Sequence, residues 1–413
     1  MRIKNLVVSI KMPKKYDMPI HIASLLLVVF GTLMIISTNV GNATGGVMDI
    51  VKVMIKQSIF IIVSYLLLTF FANNFNMGRA KKALPIVGIL IMVALIATQF
   101  SKEVYGSKAW IRFAIAGQIV TIQPSEFAKV FIIVVMAVYV AIAGNNRWNF
   151  MRIMQWPFIY FFMCLIPIIL QKDIGSMLVF VMISVLCFLI PSNRGLRKQQ
   201  KIMRILIMIG CVGALVLMSD IGVKLFSSIQ PLSHIAVRIE NAANPFTDPF
   251  NNGYQTINGL YGIARGGLKG VGLGNSIQKY GYLTQSDNDF ILAIIIEELG
   301  LFGFLFIVLC YLTIIRQLFY YAKHTVNEGY KIILFGTASY IFIHFILNVG
   351  GVGGLIPLTG VPLLFISSGG SSLMAIMSAI GISQAVISRI RRQGAIRKVK
   401  RVKKKEPQGD RVL

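Results

Sequence analysis

Charge is scarce in this chain, and acid is scarcer still. Only 14% of the 413 residues are charged, with 15 Asp and Glu against 41 Lys and Arg. A soluble domain of this length needs far more polar surface, which excludes a soluble globular fold. Cysteine is nearly missing as well. The four present, Cys164, Cys187, Cys211 and Cys310, all fall inside apolar runs. They are too dispersed for a metal motif and none sits in an external loop, so they read as free thiols acting as small hydrophobes. The four histidines are equally scattered. Aromatic residues are lacking from the basic C-terminal run RRQGAIRKVKRVKKK. Despite a net charge of +26, that lack argues against nucleic acid as a partner and for anionic lipid headgroups and topology. A small-residue cleavage site is absent after the first apolar run, which therefore reads as a span rather than a leader.

Apolar sequence is what the chain has in quantity. It is 56% hydrophobic, with mean hydropathy +0.73. Ten apolar runs stand out, at about 19–39, 53–72, 84–100, 125–143, 156–170, 174–190, 203–218, 290–315, 332–350 and 368–388. Each is near the roughly 20 residues a bilayer needs. The expected fold is an all-α polytopic membrane protein of about ten transmembrane helices. The connections alternate in charge: 29 of the 41 Lys and Arg fall on one side, and 11 of the 15 acids fall on the other side or in adjoining spans. The positive-inside rule then places both termini in the cytoplasm. One membrane domain covers 1–388, with a long extracellular loop at 220–289 between helices 7 and 8, and 389–413 forms a basic cytoplasmic tail.

The polar residues that remain are concentrated. Residues 253–300 carry nine glycines up to Gly281, interleaved with Arg265, Lys269 and Lys279. Asp287 and Asp289 follow, directly before the apolar run from Phe290. Such a basic, glycine-rich loop with an acid at the lip of a membrane helix suits an anionic, membrane-borne substrate; an ordinary solvated loop is the plainer reading. Gln123-Pro124-Ser125-Glu126 opens the fourth run, and Lys129 follows Glu126 at i+3. A structural ion pair and a substrate role weigh equally there. Asp173 lies between the fifth and sixth runs, Glu297 and Glu298 lie inside the eighth, and His344 lies inside the ninth. Charges at that depth are costly unless they face a polar interior. The Gly- and Pro-rich stretch 349–370 is broken backbone that survives at membrane depth only when buried in protein or lining a cavity.

These residues carry a resemblance. Residues 106–129 read GSKAWIRFAIAGQIVTIQPSEFAK, residues 171–176 read QKDIGS, residues 244–300 run from NPFTDPFNNGYQ through GLGNSIQK to DFILAIIIEELG, and residues 348–372 contain PLTGVP, FIS and GGSS. In that order the four blocks resemble the SEDS family (shape, elongation, division and sporulation) of peptidoglycan glycosyltransferases, typified by FtsW and RodA. The GLGNSIQK block resembles the division branch, FtsW, more than the elongation branch. Departures are local: Lys172 stands where the family has proline, Thr284 to Asn288 replace a Pro-Glu and His-Thr pattern, and Leu364 replaces a proline.

The resemblance implies an extracellular-facing cavity in the bacterial plasma membrane that polymerises lipid II by inverting transfer, releasing undecaprenyl diphosphate. It implies Asp289 as the catalytic base, although an aspartate before an apolar helix is as readily its cap. Lys129 and Lys279 come with matched blocks as substrate contacts. Arg238 and Arg265 join them on charge and location. Glu126, Asp173, Trp110, Gln123 and Ser125 organise the cavity. A divalent cation (Mg or Mn) would assist the diphosphate, but no ligand cluster marks a metal site. A class B penicillin-binding transpeptidase and other divisome or elongasome membrane proteins are the implied partners. A lipid II flippase or a non-catalytic division scaffold are the alternatives.

Overall fold

The computed structural model describes residues 9–41, 46–103, 107–115, 118–144, 146, 148–217, 244–251 and 253–405. Arg238 lies outside the described residues, as does most of the first half of the loop 220–289. The helices are α1 (Met18–Gly41), α2 (Val47–Asn74), α3 (Met77–Ala97), α4 (Pro124–Ala143), α5 (Phe150–Leu170), α6 (Ile174–Leu189), α7 (Arg197–Leu217), α8 (Tyr254–Gly266), α9 (Ile291–His324), α10 (Glu328–Val352) and α11 (Gly370–Lys405). Among the described residues, eight helices are long and apolar enough to cross a membrane. The chain is therefore a mostly helical, multi-pass membrane protein. Two of the ten expected runs fall short of that standard for separate reasons. Helix α6 has 16 residues, about 24 Å at 1.5 Å per residue. Helix α7 carries Arg197, Lys198, Lys201 and Arg204 in its first eight residues.

Burial grades the bundle. Helix α4 is buried along nearly its whole length and packs against α3, α5, α6, α10 and α11. The α2 helix lies along α11, and α9 lies between α1 and α10. The outer faces of α2 and α3 stay apolar and exposed, as a lipid-facing surface requires. At the end of α9 far from Asp289, Asp17 accepts from Tyr321 Oη (2.8 Å) and pairs with Arg391 (2.6 Å). Arg391 belongs to the expected tail, yet it is tied into the body, and α11 continues unbroken to Lys405.

An all-helical reading missed one element. Strands β1 (Ile111–Ile115) and β2 (Gln118–Ile122) form an antiparallel hairpin just before α4. The signal was present: two β-branched runs separated by Ala116-Gly117.

The glycine-rich segment also differs from expectation. Helix α9 is interrupted at Gly300, whose φ of 64° and ψ of −158° suit only glycine. The break removes the helical partners of nearby backbone groups. Val271 N donates to Glu297 O (2.9 Å), Gly272 N donates to Glu298 O (3.0 Å), and Leu301 N donates to Gly267 O (3.0 Å). The loop satisfies the backbone groups that the interrupted helix leaves open. A Cβ on Gly270 would lie 2.2 Å from Glu298 O. These glycines thus let the loop approach a helix rather than a ligand.

Candidate active site

A cavity of about 500 Å³ opens where the N-termini of α4 and α6 meet the hairpin, the segment before α9 and the segment before α11. Its floor is built on helix starts. Pro124 occupies the first turn of α4, where its missing N–H costs nothing. Glu126 and Lys129 follow one turn apart, each 1% exposed, and pair at 2.7 Å. Glu126 also accepts from Tyr340 Oη at 2.8 Å. His344 Nδ1 lies 3.0 Å from Pro362 O, and its Nε2 lies 3.4 Å from Lys129 Nζ. A carbonyl needs a donor, which puts the proton on Nδ1 and leaves Nε2 to accept from lysine. Two of the three ammonium hydrogens of Lys129 are thereby committed, and the side chain still lines the cavity.

The wall is a set of clamps. Asp173 caps α6, with Oδ1 accepting from Ser176 N at 3.0 Å. Its Oδ2 accepts from Gln123 Nε2 at 2.8 Å. Gln123 N in turn donates to Ser371 Oγ at 2.9 Å. The starts of α4 and α6 are thus joined through the side chains of Gln123 and Asp173, both named from sequence, and α11 is joined to them through Ser371 and the backbone of Gln123. Trp110 lines the cavity, half-buried. Ser125 is buried with no partner for its Oγ and does not line the cavity.

Asp289 faces the same space. Its backbone is pinned: Asn348 Nδ2 donates to Asp289 O (2.9 Å), Ser367 Oγ donates to Asn288 O (2.8 Å), and Ser368 N donates to Asp287 O (3.0 Å). The N-cap position of α9 is Phe290, without a side-chain cap bond. The capping alternative for Asp289 therefore fails, and its Oδ1 is buried with no hydrogen-bond partner among the described residues. Burial, reinforced by the negative charges of Asp287 and Asp173, raises its pKa from 3.8 to about 6. Asp287 does not line the cavity.

Lys279 and Arg265 lie elsewhere. Lys279 is 0% exposed, with Nζ bonded to Glu298 at 3.0 Å and to Gly274 O at 2.6 Å. Ser37 of α1 donates to the same Glu298 carboxylate. Arg265 pairs with Glu297 at 2.8 Å, and Glu297 also accepts from Ile277 N and Ser276 Oγ. The two glutamates expected to face a polar interior instead rivet the loop to α9. Neither cation lines the cavity. Among the described residues the cavity's other cations are Arg112 on β1 and Lys172 in the α5–α6 turn, which no motif in the sequence singles out. The signal for Lys172 was its place where the resemblance expects proline. A buried His344 as partner of Lys129 had only its depth to mark it.

The donor set does not fit a protein-held metal. Glu126 and Asp173 are already engaged, which leaves Asp289 alone with an open oxygen. Among the described residues no group of three His, Cys, Asp or Glu could hold an ion. What the arrangement does offer is an unpartnered carboxylate of raised basicity beside fixed cations, which suits proton removal from a hydroxyl next to a departing anion.

Comparison with known proteins agrees with the four blocks. The family model for FtsW, RodA and SpoVE, described as cell cycle protein, matches residues 18–393. The probable peptidoglycan glycosyltransferase FtsW of Bacillus subtilis (strain 168) is 31% identical over 377 residues, covering 90% of each chain. Among solved structures, a chain of a peptidoglycan synthase complex, in which polymerisation and crosslinking are structurally coordinated, superposes with TM-score 0.69 at 20% identity, covering 92% of this chain and 99% of that one. The rod shape determining protein RodA of Thermus thermophilus superposes with TM-score 0.57 at 18% identity, over 91% and 97%. Those two likenesses concern the fold. The family match over nearly the whole chain, together with the 31% identical relative, establishes that this protein belongs to the FtsW/RodA/SpoVE family of cell cycle proteins.

Proposed function

We propose that the chain is a peptidoglycan glycosyltransferase that polymerises lipid II in cell division or elongation, with its cavity facing the outside of the plasma membrane. The observation that carries this reading is the open carboxylate of Asp289 in a cavity whose other acids are engaged. The acceptor's sugar 4-hydroxyl attacks C1 of the donor sugar, and its proton passes to Asp289. The bond from C1 to the diphosphate oxygen breaks, undecaprenyl diphosphate departs, and the configuration at C1 inverts. The raised pKa makes the carboxylate a stronger base than an exposed aspartate while leaving it ionised above about pH 6. Gln123 and Asp173 hold the helix starts that shape the cavity, and Asn348 sets the backbone of Asp289.

The charge partition of the connections, with 29 of the 41 Lys and Arg on one side, supports a site that faces outward from the opposite side. Reporter fusions after Asn244 and after Lys398 are expected on opposite sides, and the same side for both would remove the outward orientation. A class B penicillin-binding transpeptidase is the proposed partner, supported by the crosslinking complex whose chain shares this fold. The direct test is glycan polymerisation from lipid II in detergent by the purified chain, with and without that partner. Transport needs a membrane and a scaffold makes no glycan, so polymer formed by the wild type and not by Asp289→Asn supports the enzyme. No polymer under either condition overturns it.

A further inference from the structure

Among the described residues three cations line the cavity, Arg112, Lys129 and Lys172, and they differ in one respect. Lys129 is buried and already held by Glu126 and His344. Arg112 and Lys172 line the cavity with exposed side chains that make no ion pair or hydrogen bond among the described residues. An uncommitted cation has its full charge available to a ligand.

Both are held in place by the fold. Arg112 is the direct cross-strand partner of Thr121 in the hairpin, and opposed residues share a face of the sheet. Thr121 also lines the cavity, so the register turns Arg112 towards it. Lys172 follows Gln171, whose side chain is a buried rivet. Gln171 Nε2 donates to Thr98 Oγ1 (2.8 Å) and Leu95 O (3.2 Å), and Gln171 O accepts from Lys108 N and Ser107 Oγ (3.0 Å each). That fixes the α5–α6 turn to the end of α3 and to the lead into the hairpin, and so brings the supports of Lys172 and Arg112 together. Lys172 itself sits at φ 57°, in the left-handed region that proline cannot reach and that costs an ordinary residue about 1–2 kcal/mol. A lysine at such a position bears a backbone cost that glycine or asparagine would not.

We infer that Arg112 and Lys172 form the phosphate-binding pair at the mouth of the cavity and take the diphosphate of a polyprenyl-linked substrate, while Lys129 serves the interior. The cavity's carboxylates fit this division. Asp173 and Asp289 repel a phosphate on their own side, so the anion is drawn to the rim where the unpaired cations stand. The inference rests on reading the cavity as the glycosyl-transfer site, but binding and catalysis are separable.

The test is equilibrium binding of undecaprenyl diphosphate to the full-length chain in detergent, with undecaprenol as the uncharged control. Lys172→Asn removes the charge and keeps a residue that tolerates left-handed backbone; Arg112→Gln is its counterpart. Each is expected to weaken diphosphate binding about tenfold, the usual worth of one charge-assisted hydrogen bond. The double variant loses about a hundredfold on the same basis. Lys172→Arg and Arg112→Lys keep wild-type affinity, and undecaprenol binds all variants alike. Diphosphate binding by the double variant at wild-type strength overturns the inference. An equal loss for undecaprenol overturns it too, because the pair then acts through the fold. A wild type that shows this binding pattern but makes no glycan supports the pair and defeats only the catalytic reading.

Discussion

Replacing Asp289 by asparagine is expected to abolish polymerisation and to stabilise the protein. The two effects share one cause. The carboxylate is partly buried, lacks a partner for Oδ1 and lies in the field of Asp287 and Asp173. Holding its pKa at about 6 instead of 3.8 corresponds to about 3 kcal/mol at 1.36 kcal/mol per pH unit. Water in the open cavity reduces this, so a gain of about 1–3 kcal/mol is expected from the uncharged variant. The pH dependence has a definite sign. A carboxyl that binds its proton more tightly folded than unfolded costs stability only when ionised. The cost is absent below pH 3.8 and complete above about pH 6. The melting temperature of Asp289→Asn should therefore match the wild type near pH 4, pull ahead as pH rises to 6, and stay ahead by a constant margin. Polymerisation by the wild type should rise across the same interval, because the base works only when deprotonated. The variant should fall by about 10² to 10⁴ near pH 8, the range for loss of a general base, and the gap should narrow as the wild-type carboxylate is protonated towards pH 4. Thermal unfolding and lipid II polymerisation, measured on one preparation across pH 4 to 8, check both. A variant that melts lower at neutral pH refutes the argument from an unpartnered buried charge. One that polymerises normally at normal abundance refutes the assignment of Asp289.

Other perturbations separate structural from substrate-facing charge. Lys129→Met leaves Glu126 buried with only Tyr340 and is expected to cost about 3–5 kcal/mol, read as loss of abundance. Lys129→Met with Glu126→Leu should recover the fold, and polymerisation by that double variant then shows whether Lys129 is needed by the substrate; activity restored to wild type overturns a substrate role. Lys279→Met should destabilise by a similar amount through Glu298, and Lys279→Met with Glu298→Leu should regain both abundance and polymerisation. Persistent inactivity in that well-folded double variant would return Lys279 to the substrate. Gly300→Ala sets a Cβ 2.4 Å from Gly270 N and Leu268 O and is expected to lower the membrane abundance of the protein sharply, whereas near-normal levels count against the helix break.

What the sequence made legible was local. Glu126 and Lys129 are three residues apart on a helix that opens with proline, and such spacing places them together whatever the rest of the chain does. Asp173 heads a helix across a two-residue turn, and its capping of Ser176 N is equally local. The helices themselves follow from runs of apolar residues near bilayer length. The hairpin at 111–122 was legible in principle, but a chain dominated by spans draws attention away from ten residues of alternating pattern.

Lys279 and Lys172 show where that legibility ends. In the sequence Lys279 stands inside a matched glycine-rich block, whereas Lys172 is the departure in the block QKDIGS, so motif logic favours Lys279 as the ligand group. The fold reverses this. Glu298 lies 19 residues on from Lys279 and Ser37 lies 242 residues before it, yet all three meet at hydrogen-bond distance. The cation inside the motif is thus neutralised by partners that no local spacing reveals. Among the described residues Lys172 gains no acid partner from the fold, because the nearest carboxylate in sequence, Asp173, spends its oxygens on Ser176 and Gln123. Whether a lysine is available to a phosphate depends on which acids the tertiary structure brings to it. In a chain with 15 acids for 41 bases, the decisive question for each cavity cation is whether one of those few acids reaches it.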